Sequence, residues 1–176
     1  MSKKAIIISG NLAQDHEFIY PYYRLLEEEF VVDVCLLEGK PVEGILGTKI
    51  PPNKDQVVKK IDQVVVNDYH LLVLPGGVKA MEKVRQDKKI INFISEFDKQ
   101  KKVIACICSG AQLLISAKVV KGRKIAGYYS MEDDLINAGA IYTDLPAVID
   151  KNIVTTAHYK DMGPWMKAVI QLFNQK

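Results

Sequence analysis

Short apolar runs recur along the chain, each too brief for a helix and each followed by a longer stretch of helical period. Ala5–Ile8, Val31–Leu37, Leu71–Leu74 and Val103–Ile107 are largely continuous in hydrophobicity rather than alternating. Continuous apolar strands belong to a parallel sheet covered on both faces. Between them, apolar residues return every three or four positions. Phe18, Tyr22, Leu25 and Leu26 do so within 16–30, and Ile90, Ile94 and Phe97 within 89–101. Residues 112–120 follow the fourth strand, and 165–173 form a further amphipathic stretch. These spacings predict helices. Strand alternating with helix predicts βαβ units, hence an α/β architecture with a mostly parallel, doubly wound sheet and helices on both faces.

Two segments break the rhythm. Gly39–Pro52, with Gly44, Gly47 and a Pro51-Pro52 pair, reads as an irregular excursion or a small hairpin. Residues 143–155 read as a late hairpin turning at Asp150-Lys151-Asn152. No repeat, low-complexity tract or linker interrupts the 176 residues, so 1–176 is expected to be one domain.

Composition narrows the function. Twenty-four Lys and Arg against 21 Asp and Glu leave a formal charge of +3, without the clustered basic excess of a nucleic-acid binder. Three cysteines, an odd number, argue against a disulfide framework and for the reducing cytoplasm. The apolar run behind Met1-Ser2-Lys3-Lys4 is too short for a signal peptide, and no stretch approaches the ~20 residues of a membrane span. Neither a membrane nor a nucleic acid is an expected partner.

The chemistry concentrates at Val103-Ile-Ala-Cys-Ile-Cys-Ser-Gly-Ala-Gln-Leu-Leu114. A buried strand runs into Ser109-Gly110 and then a helix, the layout of a nucleophile elbow with Cys108 at the turn. The helix N-terminus behind it favours a thiolate. Cys106, inside the strand, reads as a buried small hydrophobe. Cys-x-Cys without further Cys or His ligands is not a metal site, and neither GxGxxG nor GxxxxGK is present, so no cofactor is expected. Leu72-Val-Leu-Pro-Gly-Gly77 ends a second strand in a turn whose amides could cradle an oxyanion. Glu17, in Asp15-His-Glu-Phe-Ile-Tyr-Pro21, opens the first helix, where a carboxylate is also an ordinary partner of the dipole. If the strands feeding Glu17 and Cys108 lie side by side, their ends bring the two residues into one crevice.

With these segments placed, the chain resembles the PfpI-type intracellular protease family of the ThiJ (class I glutamine amidotransferase-like) superfamily. The resemblance is carried by Glu17-Phe-Ile-Tyr-Pro-Tyr-Tyr-Arg-Leu25, Asp68-Tyr-His-Leu-Leu-Val-Leu-Pro-Gly-Gly77 and Ala105-Cys-Ile-Cys-Ser-Gly110. Lys121-Gly-Arg-Lys-Ile125, Asp133-Asp-Leu-Ile-Asn-Ala-Gly139 and Asp150-Lys-Asn152 add to it. It implies a flavodoxin-like three-layer sandwich with Cys108 as nucleophile and Glu17 as the acid that hydrogen-bonds its sulfur. It also implies that the Gly77 and Ser109 amides form the oxyanion hole, and that Tyr128 stands where relatives place an aromatic or histidine near the thiol. Two positions depart from the pattern. Ser109 replaces the histidine that follows the cysteine in PfpI-type proteases, and Ala157, followed by His158, replaces a frequent arginine.

The expected function is therefore that of a cofactor-free cysteine enzyme acting on reactive carbonyls or glycated protein adducts, deglycase or glyoxalase-like. Cys108 would attack an aldehyde while Glu17 moves the proton. The alternative is an intracellular cysteine peptidase, which lacks its histidine here unless His158 substitutes as base. A third is a redox sensor or chaperone using Cys108. Amidotransferase chemistry needs a late His-x-Glu, which His158-Tyr159-Lys160 does not supply. Relatives form dimers and hexamers, so a homo-oligomer is expected.

Overall fold

The computed structural model describes residues 2–175. Strand β1 (Lys4–Ser9) leads to helix α1 (Asp15–Glu27) and strand β2 (Val31–Leu36). A small antiparallel hairpin of β3 (Val42–Glu43) and β4 (Lys49–Ile50) precedes β5 (Val58–Lys59) and β6 (Leu71–Leu74). Then come α2 (Val78–Val84), α3 (Lys88–Lys99), β7 (Val103–Ile107), α4 (Ala111–Ser116), β8 (Lys124–Ile125), α5 (Glu132–Asn137) and β9 (Ile141–Tyr142). Strands β10 (Val148–Asp150) and β11 (Ile153–Thr156) form the late hairpin, and α6 (Met162–Asn174) follows.

Seven strands make one sheet in the order β10-β11-β7-β6-β1-β2-β5, every pairing parallel except β10 with β11. Both faces are covered: every residue of β6 and β7, and all of β1 after Lys4, is buried. This is why those strands read as unbroken apolar runs. Helices flank the sheet in two groups, α1 with α6, and α4 packed against both α2 and α3. The largest side chain in the core, Trp165 on α6, is fully buried and donates its indole N–H to the Val154 carbonyl of β11 at 3.1 Å.

The sequence placed the four central strands and both hairpins, with three differences. Leu26 falls on the helical spacing of α1 but is exposed, whereas Tyr22 and Leu25 are buried. The helix expected over 112–120 ends at Ser116, because the chain turns at Lys118, whose φ is +60°. The strands feeding Glu17 and Cys108 are not side by side; β6 lies between β1 and β7.

Candidate active site

Three adjacent strand ends build the site: β1 leads to Glu17, β6 to Pro75-Gly76-Gly77, and β7 to Cys108. The backbone reverses at Cys108, whose φ of +58° lies in the left-handed region that non-glycine residues seldom occupy. Such a conformation persists only where its surroundings fix it. Here the Tyr128 amide donates to the Cys108 carbonyl at 3.2 Å, and Gly110 packs where an added Cβ would press on the Leu74 and Pro75 carbonyls. The thiol is held above the sheet edge, half-buried, with Sγ 3.9 Å from the Ser109 hydroxyl.

Glu17 reaches this point from the first turn of α1. That helix is capped not by Glu17 but by Gln14, whose side chain accepts the His16 amide at 2.7 Å. Glu17 is fully buried, so the account of a solvated helix-opening acid fails. Its Oε2 accepts the Gly76 amide at 2.8 Å, and its Oε1 is buried without a hydrogen-bond partner. Gly76 is the wedge between acid and thiol: a Cβ there would collide with the Glu17 carboxyl and approach Cys108 Cβ and Sγ at 2.8 and 3.1 Å. Gly77 has φ +102°, and a Cβ on it would strike the backbone of residues 12–14. Both glycines are therefore required by the close approach of the β6 turn to the chain after β1.

The same burial displaces both titrating groups. Loss of water raises the Glu17 carboxyl from 4.5 to about 7, with the Gly76 amide and the Cys108 thiol pulling partly back. Burial, then the nearby Glu17 charge, pushes the Cys108 thiol up to about 12, against the weaker lowering effect of the Ser109 amide and hydroxyl. The expected helix-terminal stabilisation of a thiolate is thus outweighed, first by burial and then by the charge of ionised Glu17. Once Glu17 carries a proton, that repulsion disappears and the acid can donate to sulfur.

The crevice opens into a cavity of about 720 Å³. Glu17, Gly77, Cys108, Ser109, Tyr128 and His158 all line it, so the structure brings these six residues together. Tyr128 is 39% exposed at the rim. His158 is not arranged as a base through Nδ1, which accepts the Lys160 amide at 3.2 Å. The neutral imidazole then carries its proton on Nε2 and acts as a donor. Its ring lies against Tyr159, with centroids 4.0 Å apart. Ala157 is buried and offers no side chain to the cavity.

Several cavity residues were assigned no role from the sequence. Gln112 lies four positions after Cys108, and helical spacing alone could have found it. Arg85 and Ile45 had no sequence signal. Ile45 is brought in by buried Asp15, whose carboxylate accepts the amides of Leu46 at 2.8 Å and Thr48 at 3.0 Å and ties the β3–β4 turn over α1. Burial raises the Asp15 carboxyl, but these hydrogen bonds win and hold it below the usual range. Among the described residues no cluster of three or more His, Cys, Asp or Glu is placed to hold a metal ion, and no helix is long and apolar enough to cross a membrane.

The DJ-1/PfpI family model matches residues 3–172. The chain belongs to the DJ-1/PfpI family. Among DJ-1/PfpI relatives, it is 37% identical over 169 residues to Deglycase PfpI of Pyrococcus furiosus, covering 96% of this chain and 98% of that protein. It is 34% identical over 173 residues to the Putative cysteine protease YraA of Bacillus subtilis, covering 98% and 99%. Protein/nucleic acid deglycase 2 of Escherichia coli is 33% identical over 166 residues, covering 93% of each. Among solved structures, the DJ-1/ThiJ/PfpI-like and ferritin-like two-domain protein of Anabaena variabilis superposes with a TM-score of 0.89 at 27% identity. That match covers 97% of this chain, which spans 48% of the larger protein. Drosophila melanogaster DJ-1beta shares the fold with a TM-score of 0.86 at 24% identity, over 98% and 91% of the two chains.

Proposed function

We propose that this DJ-1/PfpI chain is a cofactor-free cysteine enzyme acting on small reactive carbonyls or glycated adducts. The observation that carries the proposal is the pairing of Cys108, at a positive-φ elbow, with a fully buried Glu17 whose proton affinity is tuned to about 7. A group with a pKa near the working pH is suited to taking and returning a proton within one reaction cycle. Glu17 removes the thiol proton as Sγ attacks the aldehyde carbon. The C=O electron pair moves to oxygen, and the amides of Gly77 and Ser109 stabilise that oxyanion. Glu17 then returns the proton to oxygen, giving a hemithioacetal. Tyr128 and the Nε2–H of His158 stand at the cavity wall as further donors.

The deglycase names of relatives support this choice. Amide cleavage needs a proton donor for the departing amine, and Ser109 in place of histidine does not provide one as a histidine would. A cytoplasmic homo-oligomer, dimer or hexamer, belongs to the same proposal, and light scattering of the purified protein measures its state. Function is tested by lactate formation from methylglyoxal. Wild type turns the substrate over and Cys108→Ser does not; equal turnover by the two refutes the proposal. A peptide zymogram beside it, positive for wild type alone, transfers the assignment to a peptidase.

A further inference from the structure

Arg85 stands in the wall of the cavity that holds Cys108, and the described residues give it no acidic partner. It lies at the C-terminal end of α2, where its amide donates to the Met81 carbonyl at 3.0 Å. Its Nε donates to the Ser116 hydroxyl at 2.9 Å and its Nη1 to Gln112 Oε1 at 3.3 Å, both on the helix that follows the elbow. Among the described residues none of the ion pairs includes it, and Nη2 forms no hydrogen bond. Of the other acids that border the cavity, Glu17 is bound to the Gly76 amide, whereas Glu82 and Asp134 are exposed. Their charges sit in water, where screening weakens them.

The contact with Gln112 has a second consequence. An arginine only donates, so the amide must turn its oxygen toward Arg85, which leaves Nε2, the donor end, on the opposite side. Gln112 is itself nearly buried and lines the cavity. The wall beyond the thiol therefore combines a guanidinium held in place by two neutral partners with a neighbouring amide donor. A planar fork of donors matches a carboxylate, and partners without charge leave its cation uncompensated. Gln112 stands four positions after Cys108, in the first turn of α4, and both residues line the same cavity.

We infer that Arg85, oriented by Ser116 and Gln112, anchors the carboxylate of the substrate, so that the cavity prefers short aldehydes bearing a carboxylate, such as glyoxylate, over neutral ones. The assignment of substrate class rests on the carbonyl-addition function proposed above. With the carboxylate at Arg85, the neighbouring aldehyde carbon lies in the same cavity as the thiol. Addition then balances without a co-reactant: the S–C bond forms, the C=O π bond breaks, and the thiol proton passes through Glu17 to the new hydroxyl.

The anchor is read without any turnover by alkylating Cys108 with iodoacetate, which is anionic, and iodoacetamide, its neutral isostere. In each case the same thiolate attacks the reagent's CH2 carbon, the S–C bond forms and the C–I bond breaks to release iodide, so their rate ratio cancels differences in thiol ionisation. The full chain is compared as wild type, Arg85→Ala, Arg85→Lys and Ser116→Ala, with folding checked by circular dichroism. The iodoacetate-to-iodoacetamide ratio should fall about tenfold in Arg85→Ala, the loss of about 1.4 kcal/mol. A smaller, severalfold fall is expected in Ser116→Ala, which keeps the charge but frees its geometry. Glyoxylate should protect wild-type Cys108 from iodoacetamide at lower concentration than neutral glycolaldehyde does, and Arg85→Ala should lose that order. An unchanged ratio in Arg85→Ala overturns the anchor. Should that variant not fold, an unchanged ratio in Arg85→Lys does so, since one ammonium cannot reproduce the fork. A wild-type protein that prefers iodoacetate yet makes no lactate from methylglyoxal keeps the anchor and refutes the proposed activity.

Discussion

Replacing Glu17 by glutamine should make the protein more stable in alkaline solution while removing its proton carrier. The carboxyl has no exposed surface, and one of its oxygens has no partner. Burial raises its pKa from 4.5 to about 7. The folded state therefore holds this proton more tightly than the unfolded chain does. The resulting stability is fully present below pH 4.5 and is lost as the pH rises through about 7. At about 1.4 kcal/mol for each tenfold difference in proton affinity, the loss amounts to about 3 kcal/mol. Glutamine keeps an oxygen for the Gly76 amide and cannot ionise. Its extra N–H donors add a cost that does not vary with pH, so the diagnostic quantity is the slope of the difference between the two proteins. Urea unfolding from pH 4.5 to 9 should show Glu17→Gln gaining about 3 kcal/mol on wild type across that range. For a chain of this length that is a relative rise in Tm of roughly 6–12 °C. Parallel stability curves would mean that Glu17 titrates as an ordinary exposed acid, and the buried proton carrier would have to be abandoned.

The remaining predictions concern the same three strand ends. The Cys108 alkylation rate should rise as the pH passes about 7, where Glu17 becomes able to take the thiol proton, and Glu17→Gln should erase that inflection. Cys108 should be the only fast thiol by peptide mapping, since Cys35 and Cys106 are buried and Cys108 is only partly covered; equal labelling of all three would count against the elbow. Gly76→Ala should cost roughly 1–3 kcal/mol by overpacking and abolish turnover, because the new methyl enters the space between Glu17 and Cys108; calorimetry and the lactate assay read the two effects. Asp15→Ala should cost roughly 1–3 kcal/mol and raise KM more than it lowers kcat, because the Leu46 and Thr48 amides lose their acceptor and Ile45 leaves the cavity wall.

How much of this was legible depends on how many residues share each signal. Strands β1, β6 and β7 were readable because every covered position had to be apolar, and the elbow because a strand, a small-residue pair and a helix meet within a few residues. Helix α4 was read too long because Ala117, Val119 and Val120 are buried in the core beyond its end and continue the apolar pattern through a turn. Helix α2 escaped notice because its seven residues bury only Ala80, Met81 and Val84. Helix α5 buries Leu135 alone. At the site, Glu17 could be named only by resemblance, since an acid in the first turn of a helix is ordinary. What sets it apart is the Gly76 amide, 59 positions away in the chain, and no local pattern encodes that contact. Arg85 is more extreme, because its position depends on the packing of α2 against α4.

The order β7-β6-β1 accounts for the chemistry more directly than the helix terminus does. Side-by-side strands would have set Glu17 and Cys108 in contact through their own turns. With β6 between them, the Pro75-Gly76-Gly77 turn fills the space, excludes water from the carboxyl and supplies the amide that orients it. A side chain at position 76 would separate acid from thiol, and a residue at 77 unable to adopt φ +102° would draw the turn away from α1. The interposed strand is thus what buries the acid, and burial is the largest cause of its high proton affinity. Because the ionised acid also raises the thiol, neither group is strongly nucleophilic alone near neutral pH. In the proposed mechanism reactivity comes from moving one proton between them, which suits reversible addition to a carbonyl better than a permanently charged thiolate would.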